Sequence, residues 1–176
     1  MPLTSVTINR APVLTLWATV VAVRLGFDPN EALTLGKAVA GLNAQSKGQR
    51  LGIFHPREEG PEKVSKREAG ETFLIELLGR PVPATRTDQG IRATANGKPL
   101  TPESVARYLE GKFGENLPAV RSAMEALAGT FDPQRLEAIG YSLYERFRPQ
   151  IPEGKRGWGA QGTLDLERIR ALASAS

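Results

Sequence analysis

The sequence predicts a mainly α-helical domain of about six to seven helices with one β-hairpin at about 82–94. Three observations carry that expectation. Cap-then-proline signals recur at Asp28-Pro29, Thr101-Pro102 and Asp132-Pro133, the residue order that starts a helix. Apolar residues fall at helical spacing over most of the chain. Only Val82–Thr94 is rich in β-branched residues around a turn, Asp88-Gln89-Gly90. A chain of 176 residues fits one domain. A finer division would be a helical part over 1–60 and a helical part with the hairpin over 61–176.

In order along the chain, the first helix is expected near 10–25. Its run Ala11–Val23 is strongly apolar but only 13 residues long, short of the roughly 20 that span a membrane. It is flanked by a poor cleavage site, so it reads as a buried helix and not as a leader or an anchor. The second helix, near 29–45, opens on Asp28-Pro29-Asn30-Glu31, a cap, a proline and a glutamate in capping-box order. Ala32, Leu35, Val39 and Leu42 form its core stripe, and Gly36, Ala40 and Ala44 a stripe of small residues. A helical glycine costs about 1 kcal/mol against alanine, so Gly36 implies close approach of a neighbour, most simply the first helix. Residues 46–61 read as a loop, because Ser46, Gly48, Gly52, Pro56, Gly60 and Pro61 interrupt any period. Further helices are expected near 62–78, 102–112, 117–128, 133–147 and 164–173.

Charge narrows the search for a site. Between Glu31 and Glu58 there is no acid, while Lys37, Lys47, Arg50 and Arg57 lie inside the interval. Those four equal the formal net charge of +4. A basic excess confined to one segment points to an anionic partner. Within it, Asn43, Gln45, Lys47 and Arg50 mix amides and cations around Gly48, groups that donate to phosphate and sugar oxygens. Lysine and arginine at a helix C-terminus also satisfy the dipole without any ligand.

A second basic segment, Gly154-Lys155-Arg156, precedes Gly157-Trp158-Gly159-Ala160-Gln161-Gly162. The six residues match G-x-G-x-x-G, but no central strand precedes them and too few residues follow to complete a βαβ unit. The dinucleotide reading is therefore rejected, and Trp158 reads as a core plug that would hold Lys155 and Arg156 at the surface. Residues 104–112 and 117–128, joined by Phe113–Asn116, have helix-turn-helix form. Glu115 at the start of the second helix would repel phosphate, so an ordinary helical hairpin is expected.

Catalytic groups are sparse. There is one histidine, His55, and no cysteine, which excludes disulfides, thiol chemistry and cysteine-ligated zinc. No nucleophile elbow or phosphate loop occurs, so no catalytic residue, cofactor or metal is expected. The expected protein is a cytoplasmic, non-enzymatic binding protein with nucleic acid or another polyanion as partner. Its contacts would be Asn43, Gln45, Lys47, Arg50, Arg57, Lys155 and Arg156. A protein-interaction or self-association module forming homo-oligomers is the alternative, and an enzyme without cysteine or metal the third reading. No membrane association is expected.

Overall fold

The computed structural model describes residues 5–50, 72–95, 98–149 and 161–175, and for 43–50 the helical backbone alone. Its elements run β1 (Ser5–Asn9), α1 (Arg10–Leu25), α2 (Pro29–Arg50), β2 (Thr72–Leu77), β3 (Arg80–Thr87), β4 (Gly90–Ala95) and β5 (Lys98–Pro99). They continue with α3 (Pro102–Phe113), a 3-10 turn (Gly114–Asn116), α4 (Leu117–Gly129), α5 (Pro133–Phe147), β6 (Gln161–Asp165) and α6 (Leu166–Ala175). The fold is mixed α/β with two antiparallel sheets, one ordered β2-β3-β4-β5 and the other pairing β1 with β6. This corrects the expectation of a mainly helical domain with a single hairpin.

The strands that the sequence hid share one property. β1 and β6 have five residues each, and neither has a local turn partner. They meet only through a long-range ladder, Val6 opposite Leu164 and Ile8 opposite Gly162. β2, Thr-Phe-Leu-Ile-Glu-Leu, falls where a helix was expected over 62–78. Its apolar run is too short for periodicity to decide. Its pairing with β3 decides instead, across a two-residue turn with Leu78 at φ 53° and Gly79 at φ 76°, the signature of a primed hairpin turn.

Helix α1 is the axis of the core. Every residue from Ala11 to Ala22 is buried, which explains why its sequence is apolar all round. Its buried hydroxyls are satisfied within the helix: Thr15 Oγ1 donates to Ala11 O at 2.9 Å and Thr19 Oγ1 to Thr15 O at 2.7 Å. Helix α2 lies tightly along it. A Cβ on Gly36 would meet Thr19 Oγ1 and stand 2.6 Å from Thr15 O, so the glycine is required by helix contact. On the other side, Trp17 donates Nε1–H to Gly140 O at 2.9 Å and meets Phe147 edge-on, with ring centroids 5.2 Å apart. Helices α4 and α5 also pack on α1, and α6 packs on α4.

The capping signals act as the sequence implies. Asp28 Oδ1 accepts the Glu31 N–H at 2.8 Å and Glu31 Oε1 accepts the Asp28 N–H at 3.2 Å, a reciprocal box. Asp132 Oδ1 accepts the Arg135 N–H at 2.8 Å. The second helix runs past its expected end. It continues to Arg50, so the loop expected from 46 begins no earlier than 51. Gly48 weakens a helix without ending it, and no proline intervenes before Pro56. Among the described residues no helix is long and apolar enough to cross a membrane.

Candidate anion-binding face

Of the residues picked out by sequence, Asn43, Gln45, Lys47 and Arg50 lie on the last turns of α2. They are helical, not part of a Gly-broken loop. Arg57, Lys155, Arg156, Trp158 and His55 lie outside the described residues. At 100° per residue, Lys47 stands about 80° round the helix from Lys37 and about 15 Å further along it. Arg50 stands about 140° round, off that flank.

Lys37, which in the sequence contributes only to the charge excess, stands out in the structure. Its Nζ sits 4.3 Å from the centroid of the Tyr108 ring, on α3. Lys112, one turn after Tyr108, brings its Nζ to 6.0 Å from the same centroid. The α2–α3 contact therefore gathers two ammonium groups on one aromatic ring. Neither ammonium forms an ion pair among the described residues. Burial, and secondarily the Lys112 charge, push the Lys37 pKa below the ordinary lysine value. Burial raises the Tyr108 pKa. One signal for this cluster was present in the sequence: Tyr108 and Lys112 are four residues apart and so share a helix face.

A second basic group forms where α1 begins. Arg10 Nε donates to Pro149 O at 3.1 Å. Burial lowers the Arg10 pKa, and the neighbouring Arg148 charge lowers it further. Tyr144 lies in the same region, and burial raises its pKa.

Concavities lie among the described residues as well. One, of about 350 Å³, lies between α1, α2 and α4. Its walls include Val20, Val23, Leu33 and Ala128, its rim Arg121 and Glu125, and Val23 is 45% exposed. Another, of about 480 Å³, lies where α2 and α3 begin beside the β3–β4 turn, and Arg92 and Glu103 line it. Among the described residues no group of three His, Asp or Glu side chains is placed to hold a metal. Comparison with models of protein families, with curated proteins and with solved structures finds no match.

Proposed function

We propose that the protein is a non-enzymatic binding protein, in a cytosolic setting, that contacts nucleic acid or another phosphate polyanion along the flank of α2. The observation that carries this reading is the pair Lys37 and Lys112 on Tyr108, without an ion-paired carboxylate among the described residues. A half-buried ammonium repelled by a second one is relieved when an anion arrives, because opposite charge offsets both desolvation and repulsion. Lys47 lies about 15 Å further along the same helix, about 80° round from Lys37. These are phosphate-type contacts with few groups suited to base edges, so little sequence specificity is expected.

The test is affinity against salt. Three or so engaged cations give a slope of log K on log salt of about −2 to −3, the single-strand value being the shallower. Lys37→Glu with Lys112→Glu should abolish binding at low salt, and Lys47→Glu with Arg50→Glu should weaken it while leaving the melting temperature nearly unchanged. A flat salt response, or no binding to single- or double-stranded oligonucleotides at low salt, ends this reading.

Self-association is the second reading. The apolar first helix gives it no support, because Ala11–Ala22 are buried within the chain. What favours it is the apolar groove around Val23. A strict monomer in sedimentation would dismiss it.

A further inference from the structure

The cleft beside the β3–β4 turn carries two opposite charges that do not neutralise each other. Arg92 is only 6% exposed. Its Nη1 donates to Ile91 O at 2.9 Å and its Nη2 to Gln89 O at 3.3 Å. A guanidinium has five N–H donors, so three remain unspent. Its Nε has no hydrogen-bond partner among the described residues and is not sealed from solvent, and the side chain lines the cleft.

A buried guanidinium ordinarily meets a carboxylate. The nearest candidate behind the turn is Glu31. Its Oε2 stands 3.0 Å, and Arg92 Nη1 3.5 Å, from the point where a Cβ on Gly90 would sit, yet the two form no ion pair. Glu31 gives both oxygens to backbone N–H groups of Asp28 and Ile91. Glu103 is exposed and lines the same cleft. Among the described residues its carboxylate makes no ion pair or hydrogen bond. Asn30, Gln89 and Thr101 complete a polar lining.

We propose that this cleft binds a small zwitterion of the α-amino-acid class, its carboxylate on Arg92 and its ammonium on Glu103. A guanidinium presents a planar fork suited to a carboxylate. A bare dianion such as phosphate would meet Glu103 unfavourably, whereas a zwitterion answers both charges. The cavity volume falls within the ~300–1,000 Å³ of ordinary ligand sites. This inference is independent of the polyanion reading, which concerns the α2–α3 flank.

Titrating the 15N-labelled full chain with L-alanine, L-serine, L-glutamine, acetate and inorganic phosphate tests it. At least one amino acid should produce saturable shifts at the amides of 87–92 and 103–104. Acetate and phosphate should bind about tenfold more weakly or worse. Glu103→Gln should weaken the amino acid about tenfold and leave acetate unchanged. Arg92→Lys should weaken both, and if that variant does not fold, Glu103→Gln at its exposed site decides alone. Absence of saturable shifts, acetate or phosphate binding as tightly as every amino acid, or an unaffected Glu103→Gln variant each overturns the proposal.

Discussion

The carboxylate of Glu31 ties the start of α2 to the open edge of β4: its Oε2 accepts the Ile91 N–H at 2.9 Å. Three residues on, Thr34 Oγ1 accepts the Ala93 N–H at 3.1 Å. Two side chains of a helix thus continue the hydrogen bonding of a sheet where the short β5 does not reach. An edge N–H left without such a partner would be desolvated at a cost.

Glu31 also closes the capping box with Asp28. Glu31→Ala removes an N-terminal cap partner and a sheet-edge acceptor together. It is expected to destabilise the fold by about 2 kcal/mol, more than an ordinary cap loss of about 1 kcal/mol. Glu31→Gln keeps one carbonyl acceptor and should lose about half as much. Urea unfolding of the three proteins checks the order. Equal losses for both variants would mean that only the charge matters.

Two glycines of α2 should respond with opposite signs. At Gly36 a methyl group would press on Thr15 O and Thr19, backbone included. Gly36→Ala is therefore expected to cost about 2 kcal/mol or more, since two packed helices must part. At Gly41 nothing lies within 4 Å of the added Cβ. Gly41→Ala is expected to stabilise by about 0.5–1 kcal/mol, the helix-propensity gain. Thermal melts of the pair check both signs, and a loss at Gly41 would contradict the open placement.

What the sequence disclosed and what it hid divide along the range of the interactions. Helices with local caps, at Asp28, Thr101 and Asp132, could be read because the cap and its target are three residues apart. The β3–β4 turn could be read for the same reason. β1, β2 and β6 could not, because Ile8 and Thr72 are held in strands by ladder partners distant in sequence or by a turn whose φ > 0 falls on a leucine. The candidate site behaved likewise. The acid-free interval was visible, yet its most constrained cation, Lys37, stands out only once α3 places Tyr108 and Lys112 against it. Arg92 gave no signal at all, being one arginine in a strand.

Leu78 holds φ 53°, a region costly for a branched side chain. It is nevertheless buried, 2% exposed, and its Cδ2 rests where a Cβ on Gly140 would stand. Leu78→Gly, which relieves the turn, should still destabilise by about 1–2 kcal/mol. Leu78→Ala, which loses the packing and keeps the strained φ, should cost more. Chemical denaturation orders them, and a glycine variant more stable than the native chain would show that strain dominates.

The lysine pair yields a prediction in pH. Folding lowers the Lys37 pKa, so between its folded value and the ordinary value of about 10.4 the unfolded chain holds more protons. Stability then rises with pH through that window as the native ammonium is released. Tyr108 and Tyr144 act oppositely. Their raised pKa values leave the native state with more protons above about pH 10, and stability falls there. Lys37→Met removes only the rising component. Its stability advantage over the native chain should therefore be present at neutral pH and shrink as pH climbs toward about 10. A difference independent of pH would show that Lys37 titrates normally. With a saturating polyanion the comparison at neutral pH should invert, because a phosphate beside the ammonium stabilises its charged form in the folded state alone. No inversion would remove Lys37 from the binding face.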